Sequence, residues 1–111
     1  MPASDADVRV AFATAPDWET AARIARALVE ERLAACANLV PGVRSIYRWQ
    51  GRVEDEGEVL LLLKTRADRV DALGARLRAL HPYDLPELVA LPAVGGLAGY
   101  LDWVRDEARE S

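Results

Sequence analysis

The chain has 111 residues, enough for one domain around a single core and too few for two. With 14 basic and 18 acidic residues the net charge is −4 and no basic stripe is visible, which argues against binding nucleic acid by phosphate neutralisation. No apolar run approaches the ~20 residues that a membrane-spanning helix needs, and a single cysteine cannot staple the fold, as suits a reducing cytoplasm.

Residues 1–7 lack the basic and apolar regions of a secretory signal and read as a flexible polar tail, leaving 8–111 as one domain. Val8 to Thr14 alternates, with Val8, Val10 and Phe12 on one face, and predicts a first strand. Pro16 and Asp17 open a helix, since Asp accepts from free amides at an N-cap. Ala21, Ile24, Ala25, Leu28 and Val29 form its buried stripe, and it is expected to end near Leu33. Ala37 to Val40 starts a second strand that Pro41-Gly42 kinks or bulges, because Pro removes a ladder donor.

The stretch from Val43 to Thr65 predicts a long hairpin turning at Gln50-Gly51. Val43, Ser45, Tyr47 and Trp49 share one face. A two-residue loop sets Trp49 opposite Arg52 and Tyr47 opposite Glu54, with Arg44 and Arg48 near Asp55 and Glu54. The returning strand begins acidic, at Glu54 to Glu58, and becomes apolar on both faces from Val59 to Leu63, so its base must be covered on both sides. A projecting arm that carries Tyr47 and Trp49 cannot bury itself in a small lone domain, and this points to a second copy. Asp68 is expected to cap the next helix, whose stripe is Val70, Leu73, Leu77 and Leu80 and which Pro82 stops. Glu87 to Leu91 is a fourth strand, Gly95-Gly96 breaks the chain, and Leu97, Tyr100, Leu101 and Val104 mark a last helix.

The order βαββαβα is the split βαβ, or ferredoxin-like, arrangement of the α+β class, an antiparallel sandwich of sheet and helices with one extra C-terminal helix. Two-sided apolar strands and the arm favour a homo-oligomer, either a dimer or a closed ring.

Three groups of residues are candidates for chemistry. His81, the only histidine, starts the rigid loop His81-Pro82-Tyr83-Asp84-Leu85-Pro86-Glu87, where it either caps and packs or contributes to a binding site. Cys36, the only cysteine, lies among small apolar neighbours and is expected to be buried; with His81 it is the pair that would suit Cu(I) or Zn. The acids from Glu54 to Glu58 attract hard cations or simply solvate a sheet edge. No Gly-flanked serine elbow, HExxH or phosphate loop is present, so an enzyme is the least favoured class.

Taken together, Leu33-Ala34-Ala35-Cys36-Ala37-Asn38, Ser45-Ile46-Tyr47-Arg48-Trp49 with Gly51, Lys64-Thr65, His81-Pro82-Tyr83-Asp84 with Pro86-Glu87, Ala90-Leu91-Pro92 and Tyr100-Leu101 with Trp103 resemble the CutA divalent-cation tolerance family. The resemblance spans Val8 to Trp103. It implies a PII-like homotrimer, a role in tolerance to divalent metals, and copper binding at the positions of Cys36 and His81, with Glu87 nearby. Some relatives carry paired histidines before the Pro-Tyr where this chain has Leu80-His81, which removes a possible ligand and implies weakly bound metal; no organic cofactor is expected. In such a trimer Tyr47, Trp49, Lys64 and Tyr83 would line a ligand cleft at a subunit boundary. The alternative is a PII-like signalling module that binds a small anionic metabolite or a partner protein, and a third reading is a scaffold with no ligand. All three are cytoplasmic, with no nucleic-acid or membrane partner.

Overall fold

The computed structural model describes residues 5–110 of the chain. Of the expected N-terminal tail, residues 1–4 lie outside the described residues. Residues 5–7 run beside the start of the second helical segment, where the carbonyls of Asp5 and Asp7 accept from the amides of Asp68 and Ala67 at 2.9 and 2.8 Å.

The elements are β1 (Val8–Ala15), α1 (Trp18–Glu30), β2 (Cys36–Trp49), β3 (Arg52–Arg66), a 3-10 turn (Ala67–Arg69), α2 (Val70–Leu80), β4 (Val89–Pro92) and α3 (Ala98–Glu107). The four strands form one antiparallel sheet in the order β2-β3-β1-β4, the split βαβ topology expected from the element order. Among the described residues no helix is long and apolar enough to cross a membrane.

Alternation along the strands decides where the core lies. Ala11, Ala13 and Ala15 of β1 and Val59, Leu61 and Leu63 of β3 point to one face, where Ile24 and Leu28 of α1 and Leu73 and Leu77 of α2 close over them. The small β1 side chains let the helices approach closely, and the leucines fill the remaining space. Val70 and Leu80, at the ends of the expected α2 stripe, are only partly buried.

The opposite sheet face is largely uncovered. Opposed residues share a face, so Val10, Phe12, Leu60, Leu62, Val40, Val89 and Leu91 lie together on it. Among the described residues only its lower end is covered, by α3, through a small cluster of Val8, Ala35, Val104 and Ala108. Val40, Val89 and Leu91 are 39%, 53% and 45% exposed in the single chain. An apolar patch of this kind on a folded chain marks an interaction surface.

Three boundaries differ from the sequence reading. α1 stops at Glu30, because Arg32 turns left-handed (φ 59°) and the amides of Leu33 and Ala34 fold back onto the Leu28 carbonyl. Asp68 caps nothing: its carboxylate is held by the Arg66 guanidinium at 2.7 and 3.0 Å, and α2 is entered through the 3-10 turn. β4 begins at Val89 rather than Glu87, because the Thr14 carbonyl that would extend its pairing is taken by His81.

The cap of α1 is as expected, with the Asp17 carboxylate accepting from the Thr20 amide at 2.8 Å. That bond is the main cause of a lowered Asp17 pKa, below the usual 3.8. A depressed folded-state pKa adds stability above the unfolded value and loses it as pH falls through the folded value. Asp17→Ala is therefore expected to lower the melting temperature at pH 7, with the difference from wild type vanishing below the folded-state pKa. A difference independent of pH would contradict this origin.

Candidate functional site: the cleft between arm and loop

The hairpin turns at Gln50 (φ 50°) and Gly51 (φ 79°), both left-handed as a type I′ turn requires. Trp49 pairs with Arg52 and Tyr47 with Glu54, as the two-residue loop predicts. Arg44 holds Asp55 through two bonds of 2.8 and 2.6 Å, a diagonal pair across the arm consistent with that register. Between Val40 and Val43 the register shifts at the bulge that Pro41-Gly42 supplies, Gly42 adopting φ 80°. On the arm, Tyr47 and Trp49 lie on the same face as Glu54, Glu56 and Glu58.

The loop after α2 is pinned by His81, which is 8% exposed. Its Nε2–H donates to the Thr14 carbonyl at 2.7 Å and its Nδ1 accepts from the Tyr83 amide at 3.1 Å, so both ring nitrogens are committed. The two rings lie 4.6 Å apart, and Tyr83 then reaches the root of the arm, where its hydroxyl donates to Glu58 at 3.1 Å. Burial, reinforced by the Glu58 charge, holds the Tyr83 phenol protonated far above its ordinary range. Burial and the same charge raise the Glu87 carboxyl.

Between arm and loop lies a cavity of about 700 Å³ lined by Tyr47, Trp49, Glu58, Tyr83, Glu87 and Val89, with Thr14 and the loop residues Pro82, Asp84, Leu85, Pro86 and Leu88. Of the residues expected to line a cleft, Tyr47, Trp49 and Tyr83 are brought together, joined by Glu87; Lys64 is not among them. Lys64 stands opposite Cys36 near the other end of the sheet and contacts the Asn38 side-chain oxygen. Six residues of strand separate it from Glu58, roughly 20 Å.

Cys36 is only half-buried, contrary to the expectation from its small neighbours. It opens β2, an edge strand, on the uncovered face, 3.8 Å from the Asn38 side chain and within reach of the Tyr100 hydroxyl. Cys36 sits at the level of Lys64, whereas the His81 ring sits at Thr14, which pairs with Leu60. Four residues of strand are roughly 13 Å, far too long for two ligands of one ion with bonds of about 2.0–2.3 Å. Among the described residues no group of three or more His, Cys, Asp or Glu side chains is placed to hold a metal within one chain.

Glu58 stands out in the sequence only as one acid of a run. Its parity with Tyr47 on the arm is the signal that places it in the cleft. Thr14, whose carbonyl anchors the loop, has no sequence signal, since any residue supplies a carbonyl.

A profile described as "CutA1 divalent ion tolerance protein" matches residues 9–107. The "Divalent-cation tolerance protein CutA" of Thermus thermophilus is 56% identical over 97 residues, covering 87% of this chain and 94% of its own length. A solved structure from Thermus thermophilus, described as a "Divalent cation tolerance protein (Cut A1)", superposes with a TM-score of 0.90 at 53% identity, covering 92% of this chain and 99% of that one. Human "Protein CutA" is 47% identical over 111 aligned residues, covering 94% of this chain, which spans only 62% of that longer protein. The chain belongs to the CutA1 divalent ion tolerance protein family.

Proposed function

We propose that the protein assembles as a homotrimer of PII-like architecture and contributes to divalent-metal tolerance, copper included, by binding ions weakly at subunit boundaries. The observation that carries this reading is the uncovered apolar sheet face. It needs a second copy to cover it, and it carries Cys36 near one end and Glu58 near the other, too far apart to cooperate within one chain. A thiolate at Cys36 suits Cu(I) or Zn, and Glu87, which lines the cleft, offers an oxygen donor. His81 joins a metal only by giving up one of its two hydrogen bonds. The role is binding rather than catalysis, without an organic cofactor or a nucleic-acid or membrane partner. A cytoplasmic location belongs to the same proposal and rests on the single cysteine.

The test is an equilibrium titration of the metal-free protein with Cu(I), Cu(II) and Zn(II). Cys36→Ala is expected to weaken Cu(I) binding by about tenfold or more. Affinity unchanged by that substitution would remove Cys36 from the site.

A second reading, a PII-like module that binds a small ligand or a partner protein, is favoured by the cavity between arm and loop. Within one chain an anionic metabolite fits that cavity poorly, because its lining is acidic and aromatic and Lys64 stands far from it, so this reading needs Lys64 of a second copy at the cleft.

A further inference from the structure

We propose that the cavity between the arm and the His81–Glu87 loop binds a small organic cation, an ammonium or guanidinium group carried on an apolar body. The inference rests on reading this cleft as a ligand site and adds the chemistry of what it takes.

Three aromatic rings, those of Tyr47, Trp49 and Tyr83, wall the cavity, and the negative faces of such rings attract cations. Glu58 lies at its inner wall, only 8% exposed, and Glu87 lies further along the lining. Asp84 lines the cavity as well, and among the described residues this chain supplies no basic lining side chain, so Glu58 and Glu87 repel each other with no counter-charge from it. A cation in the cavity relieves that repulsion and replaces water against a desolvated carboxylate. The volume of about 700 Å³ lies within the range of sites for small organic molecules. A bare divalent ion is a worse match, since aromatic walls provide no oxygen donors and among the described residues no group of three or more His, Cys, Asp or Glu side chains is placed to hold a metal within one chain. The Tyr83 hydroxyl, spent on Glu58, holds that carboxylate in place.

The experiment is isothermal titration calorimetry of the native assembly at fixed ionic strength with choline, n-butylguanidinium, citrate and zinc chloride, repeated with Glu58→Gln and Glu87→Gln. Gln at position 58 still accepts from Tyr83, so the loop keeps its anchor. Choline or n-butylguanidinium is expected to bind saturably, and each substitution to weaken it about tenfold or more. Choline binding alone would identify ring attraction as the main interaction, and guanidinium alone the carboxylate hydrogen bonds; either supports the proposal. Binding of citrate in their place, or of zinc that the Glu58→Gln or Glu87→Gln substitution weakens, would overturn the inference while leaving the cleft a ligand site. Binding of none of the four would overturn both, as a basic side chain of a second copy filling the cavity would do. Cation binding indifferent to both substitutions would place the ligand elsewhere and overturn it too.

Discussion

Replacing His81 with alanine is expected to cost about 2–4 kcal/mol of folding stability. The ring is buried and satisfies two backbone groups on different elements, the Thr14 carbonyl of β1 and the Tyr83 amide of the loop. Removing it strands both groups, at roughly 1–3 kcal/mol for each buried group left unpaired. The loop then loses its fixed path, and Tyr83 loses its approach to Glu58. Denaturant unfolding of the variant reads the cost directly. A folded His81→Ala with unchanged stability and lost copper binding would contradict this account and make His81 a ligand.

Replacing Leu62 with glutamate is expected to leave the single chain folded and to weaken self-association by at least about a hundredfold. Leu62 sits in the middle of the uncovered face, flanked by Phe12 on β1 and Asn38 on β2, and it is only partly buried in one chain. A charge there stays hydrated in the monomer, so its cost to folding is small. Between packed subunits the same charge is desolvated without a partner, once for every copy. Sedimentation or light scattering reads the assembly, and circular dichroism confirms the fold. An assembly of undiminished stability would move the interface off this face.

The arm is the most legible part of the sequence because its signals are local. Alternation, Gln50-Gly51 and Pro41-Gly42 fix turn, register and bulge among neighbours in the chain, and Trp49 opposite Arg52 follows from counting. Sequence and structure part where a distant group competes for a local one. Asp68 has the residue type and position of a helix cap, but the Arg66 side chain claims its carboxylate. Glu87 and Leu88 have the pattern of a strand, but His81 occupies the carbonyl that would pair them. The same effect divides the candidate site. Tyr47, Trp49, Tyr83 and Glu87 converge because arm and loop meet over Thr14 and Glu58, whereas Lys64 and Cys36, equally prominent in sequence, lie several residues further along the sheet. Spacing along a strand becomes distance only once the register is known, and the loop's anchor on β1 is a backbone group that no side chain announces.

The most direct test of ion binding between subunits compares bound metal per chain in the native protein and in Leu62→Glu, at equal chain concentration. If the sites are built from two copies, the native assembly holds copper or zinc and the dispersed, folded Leu62→Glu monomer loses it. A monomer that retains the same metal with the same affinity would contradict the account and place the whole site within one chain.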